Sequence, residues 1–200
     1  MPHARVRQRG TSWCRHTLAT IALVLFGLLC TAQIASAAGR VQEFIGKATP
    51  ADLVPGATSL GSPEGDPPII PALRGSERVG YVFLNSDFAN AVGYSGKPIH
   101  ILVGIDLKGT VTGLKLVDHK EPIVLIGIPE QRVVDAINKL IGSELAPVAQ
   151  GTARAPQTDI VSGATVTVLV MGDSVVRGAV RLIRSGRLSG IAVGQAGATQ

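Results

Sequence analysis

Residues 159–167, Asp-Ile-Val-Ser-Gly-Ala-Thr-Val-Thr, place one carboxylate and three hydroxyls among small side chains. A glycine between Ser162 and Ala164 lets a backbone turn come close to a ligand. The segment runs into an apolar, helix-like stretch over 168–183, so the start of that helix can present unpaired N–H groups to an anion. A purely structural account also exists: Ser162 or Asp159 caps the helix and the small residues only pack tightly. The remaining candidates for chemistry are sparse. His100 and His119 have no evident nucleophile partner, which argues against a catalytic triad. His100 sits in a strand pattern and reads as structural. By themselves His119 reads as a strand-end surface residue and Glu121 as solvent-exposed. No metal-ligand set and no Walker-type phosphate loop is visible.

The elements that must position this stretch follow from periodicity. From Glu77 the chain turns to strand, Arg78 to Leu84 being β-branched and aromatic. A loop or short turn over 85–93 and the turn-rich 93–98 precede a second strand, 99–106. Leu107-Lys108-Gly109 makes a hairpin turn into a third strand, 110–118. The pattern predicts an antiparallel meander. Residues 129–142 predict a helix with Pro129 at its first position, Val133, Val134, Ile137, Leu140 and Ile141 as its apolar stripe, and Gly142 as its stop. A second helix over 168–184 is predicted to turn Leu169, Val176, Val180 and Ile183 inward and Arg177, Arg181, Arg184 and Arg187 to solvent. Upstream, residues 39–60 show a short helical pattern with Val41, Phe44 and Ile45 on one face. Residues 61–72, rich in proline, predict an ordered, extended surface loop that buries Ile69 and Ile70. The fold class expected is α+β: a twisted, mainly antiparallel sheet with helices packed against it.

Composition narrows the function. The chain has 200 residues and a formal net charge of +5. Four of its 19 basic residues, Arg5, Arg7, Arg9 and Arg15, lie in residues 1–38, which hold no acid; the remaining 15 face 14 acids. The basicity is therefore a targeting feature and not a polyanion-binding face. Aromatics are 4% of residues, too few for a base-stacking surface, so no nucleic-acid partner is expected. Residues 1–38 read as an export segment: an arginine-bearing start, an apolar run over 18–34, and an Ala35-Ser36-Ala37 cleavage site. An uncleaved inner-membrane anchor is the alternative. Both cysteines, Cys14 and Cys30, fall in this leader, so the mature part can hold no disulfide, thiolate zinc site or iron–sulfur cluster. A redox role there needs an organic cofactor. The expected division is a leader over 1–38, an N-terminal extension over 39–76, a main domain over 77–188, and a disordered Gly/Ala-rich tail over 189–200.

Asp159-x-x-Ser162-Gly163-Ala164-Thr165 resembles the flavinylation signature of the FMN-binding domain family. Gly93-Tyr94-Ser95-Gly96, Val103-Gly104-Ile105-Asp106, Gly109, Gly113 and His119-Lys120-Glu121-Pro122 follow that family's order over roughly 77–186. The wording of 119–123 and 127–130 is closest to the NosR/NirI-type branch of denitrifiers. The resemblance implies a covalent FMN, phosphoester-linked to Thr165 with Thr167 as fallback, and Ser162, Gly163 and Ala164 in the binding turn. Asp159 would be the acidic position read by a separate flavin transferase. It also implies that the 99–118 hairpin lies against the flavin, and that His119 and Glu121 are near the isoalloxazine. The function implied is a periplasmic electron-transfer domain, exported or tethered to the inner membrane, that serves the nitrous oxide reductase system. A non-redox sensory or protein-interaction module on the same fold is the alternative. A flavin reductase is disfavoured, since no nicotinamide-binding fingerprint is present. Members of that branch continue into transmembrane helices and cysteine clusters, which these 200 residues do not include.

Overall fold

The structure is a computed structural model that describes residues 40–188. The export segment expected over 1–38 and the tail expected over 189–200 lie outside the described residues. Five strands pair in chain order into one open antiparallel sheet: β1 (Ser59–Leu60), β2 (Ile70–Arg74), β3 (Glu77–Leu84), β4 (His100–Asp106) and β5 (Val111–Asp118). With helices packed against it, this is the α+β arrangement that periodicity predicts. The Asp106 carboxylate holds the β4–β5 turn, accepting from the N–H groups of Lys108 and Thr110 at 2.9 and 2.8 Å.

Strand alternation sorts the core into two clusters. Tyr81, Phe83, Ile101, Val103 and Ile105 join a cluster with residues of α5 (Glu130–Asn138) and α7 (Thr165–Arg184). Their neighbours Val82, Leu84 and Leu102 join a second cluster with Val41 and Phe44 of α1 (Val41–Phe44) and Leu53 of α2 (Pro50–Leu53). The sheet is thus covered on both faces, which is why β4 reads as an unbroken apolar run. His100 is structural, as expected: it is buried, stacks on Phe44 with ring centroids 4.8 Å apart, and its Nδ1 lies 2.7 Å from Ser86 Oγ.

Several elements depart from what the sequence predicts. The proline-rich segment ends in a strand, β2, in which Pro71 lies opposite Tyr81. The Pro71 carbonyl accepts from Gly61, on the side of the two-residue strand β1. The missing N–H faces that same edge, so no bond to β3 is lost. Ile69 and Ile70 are buried as expected. The loop expected after β3 begins with a helical turn, α3 (Asn85–Phe88), and two further short helices, α4 (Pro122–Ile126) and α6 (Ala146–Ala149), went unpredicted. Helix α5 starts after Pro129, its cap, and ends at Asn138 rather than 142; Ala136 replaces Val134 in the buried stripe and Ile141 is exposed. The chain leaves the helix because Gly142 and Ser143 turn to bond the edge of β5 at Val111.

Helix α7 begins at Thr165, three residues before the predicted start, and its buried stripe is Val168, Met171, Val175, Ala179 and Leu182. Leu169 is therefore exposed, one residue (about 100° of helix) off the inward stripe. The four arginines do not form a merely solvated face. Arg184 donates to the Ala149 carbonyl, Arg181 to Phe88, Arg177 to Asn90, and Arg187 to Glu64 and Pro67, so they stitch the helix end to surrounding loops.

Asn85 fastens α7 to the sheet from below. It is fully buried; its Nδ2 donates to Ser174 Oγ (2.8 Å) and the Ile99 carbonyl (3.2 Å), and its Oδ1 accepts from the Ile101 N–H (2.7 Å). Asn85→Ala leaves these partners unpaired in the core and lowers stability by about 2 kcal/mol in urea unfolding.

Candidate functional site

The signature stretch is a turn that feeds α7. The Val161 carbonyl accepts from the Ala164 N–H at 2.9 Å and from the Thr165 hydroxyl at 3.3 Å, with Gly163 at φ 87° between them. The capping account of this stretch fails: Ala164 is the N-cap, no side chain caps the helix, and Ser162 and Asp159 are exposed. The first-turn amides of α7 thus face no competing side-chain acceptor.

That turn forms one wall of a cleft of about 520 Å³. Gly163, Ala164, Thr165, Val166 and Thr167 line one side; Tyr94, Pro122, Ile123 and Ile126 line the other. The volume falls in the range of small-molecule sites, about 300–1,000 Å³, and the lining pairs an apolar wall with a few hydroxyl and amide groups in the way such sites do. Large apolar side chains at the mouth stand in water, Ile126 at 89% and Tyr94 at 80% of their full exposure.

Behind the cleft wall lies Glu121, fully buried. Its Oε2 accepts from the Thr167 hydroxyl at 2.7 Å and the Tyr94 N–H at 3.0 Å, and its Oε1 from the Ser95 N–H at 3.0 Å. One carboxylate therefore ties together the 93–96 loop, α4 (which it precedes as N-cap) and the first turn of α7. Gly93 makes this approach possible, since a Cβ there would sit 2.7 Å from the Glu121 carboxylate. The Glu121 N–H donates to His119 Nδ1 at 3.2 Å, so in the neutral ring the proton sits on Nε2, which reaches Glu130 Oε2 at 3.1 Å.

Burial works to raise the pKa of Glu121, but the hydrogen bonds from Thr167, Ser95 and Tyr94 together outweigh it and hold the value below the ordinary 4.5. A depressed folded value means that the group contributes stability above 4.5 and loses it as pH falls through the lower folded value. Thermal melting followed from neutral pH down past 4.5 will fall more steeply in the wild type than in Glu121→Gln.

Of the residues singled out in the sequence, Gly163, Ala164, Thr165 and Thr167 line the cleft. Ser162, on the turn, and Asp159, in the stretch before it, are exposed and do not line it. Glu121 is one layer behind. His119 belongs to a different, smaller hollow with Leu116, Leu125 and Glu130. Both His119 and Glu121 are buried, against the surface positions that their local sequence suggests. Sequence reasoning missed Tyr94, Pro122, Ile123, Ile126 and Val166. The signal that would have found Pro122, Ile123 and Ile126 is the short apolar run 122–126 opened by a proline, which reads as a helical turn.

Residues 93–179 match the family model of the FMN-binding domain. The chain is 39% identical over 129 residues to the Regulatory protein NosR of Stutzerimonas stutzeri, a match covering 62% of this chain and 18% of that protein. It is 36% identical over 133 residues to the Regulatory protein NosR of Pseudomonas aeruginosa, covering 64% and 19%. It is 31% identical over 124 residues to the Protein NirI of Paracoccus denitrificans, covering 62% and 18%. The chain thus spans under a fifth of the length of these relatives.

Proposed function

We propose, from the match of residues 93–179 to the family model of the FMN-binding domain, that this chain is an electron-transfer domain carrying FMN as a phosphoester on Thr165. The observation that carries the reading is a coincidence of place: the signature turn, the start of α7 and an apolar wall meet in one cleft of ligand size. The residues present fit the group. Pro122, Ile123, Ile126 and Tyr94 offer a surface for the apolar isoalloxazine, and the uncapped first turn of α7 offers N–H donors to a phosphate. Thr165 is partly exposed in the cleft, whereas Thr167 is buried with its hydroxyl committed to Glu121. This supports Thr165 over Thr167 as the acceptor. Bound FMN supplies exchange of one or two electrons. The chain's own residues hold it, keep water off one side of it and fix its charge environment. Asp159, exposed beside the turn, is open to a separate flavin transferase.

By similarity to the NosR and NirI proteins, the domain works on the periplasmic side of the inner membrane, exported or tethered by residues 1–38, and serves the nitrous oxide reductase system. No described helix is long and apolar enough to cross a membrane. The test is the intact mass of the protein co-expressed with a flavin transferase. The expected result is a single adduct of about 438 Da, one FMN less one water. A protein that gains no flavin in that setting would instead support the sensory or interaction module.

A further inference from the structure

Glu121 places a full negative charge where buried charges are normally paired. It is completely buried, and no Lys, Arg or His pairs with it among the described residues. Each oxygen meets a backbone N–H that can only donate, Tyr94 on Oε2 and Ser95 on Oε1, and the Thr167 hydroxyl donates to Oε2 as well. A protonated carboxyl would need an acceptor for its own hydrogen, so this set of contacts fits the ionised form. Dipoles hold the charge, but no cation cancels it. Its position is next to the cleft: Tyr94 and Thr167, which bond it, and Pro122 and Ile123, which follow it, all line the cavity. Across an apolar wall of this kind a charge is poorly screened.

We propose that Glu121 is a positioning and potential-setting residue: its ionised carboxylate ties the 93–96 loop to the start of α7 and holds the reduction potential of the flavin in the cleft at a more negative value. This rests on the FMN reading above. Reduction adds two electrons and one proton to the flavin, the electrons drawn from an external low-potential reductant and the proton from solvent. The product carries one more negative charge than the oxidised form, and the fixed carboxylate opposes it. The Thr167 hydroxyl, which donates to Glu121 Oε2, partly offsets that charge.

Two substitutions therefore move the potential in opposite directions. Glu121→Gln removes the charge and shifts the midpoint to a more positive value. Thr167→Val keeps the carboxylate, removes the donor and shifts the midpoint to a more negative value. A role in packing alone would not produce opposite signs. The experiment is a dithionite titration of the flavin-loaded wild type and both variants against reference dyes, read by visible absorbance, with flavin content measured by mass. Opposite shifts support the proposal. Unmoved potentials, or shifts of the same sign, in flavin-loaded variants overturn it alone and leave the FMN reading intact. A wild type that takes up no flavin overturns both. The glutamine amide meets the Tyr94 and Ser95 N–H groups with only one acceptor oxygen; if that variant does not accumulate, Thr167→Val decides by itself, a negative shift supporting the proposal and no shift or a positive one overturning it.

Discussion

On the proposed attachment, Thr165→Val is expected to leave the protein folded and to abolish the FMN adduct. Valine matches threonine in shape, with a methyl in place of the hydroxyl. The hydroxyl's bond in the fold is a long one, 3.3 Å to the Val161 carbonyl, and the residue is only partly buried. Losing that bond costs about 0.5–1 kcal/mol. The effect on the cofactor is all or none, because a phosphoester needs an oxygen to form on. The contrast with Thr167→Val sharpens the test. Thr167 is 2% exposed and its hydroxyl proton lies against Glu121 Oε2, so a bulky phosphoryl donor has no approach to it without opening the first turn of α7. The adduct mass is expected to persist in Thr167→Val and vanish in Thr165→Val. The reverse pattern would move the attachment to Thr167. An adduct in neither variant and none in the wild type would sink covalent attachment altogether.

The sheet and the turn were legible in the sequence for a physical reason: both depend on local chemistry. Alternation and β-branching mark β3 to β5, the Asp106-x-x-Gly109 turn marks the hairpin, and small residues mark the turn that leads into α7. Elements held by distant partners were not legible. β2 exists because β3 accepts it in register, and its Pro71 gives up only an edge donor. The sequence pattern turns Leu169 inward, and only the helix's starting angle at Ala164 decides that Val168 takes that place. The burial of Glu121 is the sharpest instance. Nothing near it in sequence offers it three donors; Tyr94 and Ser95 lie 27 and 26 residues before it and Thr167 lies 46 residues after it. A carboxylate that looks solvated in one dimension is enclosed once three separate turns converge.

The same logic explains a second group of residues, Gly104 and Gly113, whose value is invisible until the fold is known. They lie opposite one another in β4 and β5, on the face covered by α2. There the carbonyl end of α2 rests directly on the sheet. A Cβ on Gly104 would meet the Leu53 carbonyl oxygen, and a Cβ on Gly113 would meet the Asp52 and Leu53 carbonyls. Thr112 accepts the consequence of that contact by donating its hydroxyl to the Leu53 carbonyl at 2.7 Å. The obstacle is backbone, not a flexible side chain, so it cannot rotate away. Gly104→Ala must either push α2 off the sheet, exposing part of the cluster around Leu53, Val82 and Leu102, or bend β4. Overpacking against a fixed backbone puts the loss at about 3 kcal/mol, or a fall of roughly 6–12 °C in Tm for a domain of this size. Circular dichroism melting measures it. Because β4 is paired on both sides, with β3 and β5, the variant is also expected to lose flavin content in proportion to its unfolded fraction, while the flavin potential of the folded remainder stays at the wild-type value. A Tm within 2 °C of the wild type, about 1 kcal/mol or less, would mean that α2 can lift from the sheet at little cost and is not part of what holds the cleft in place.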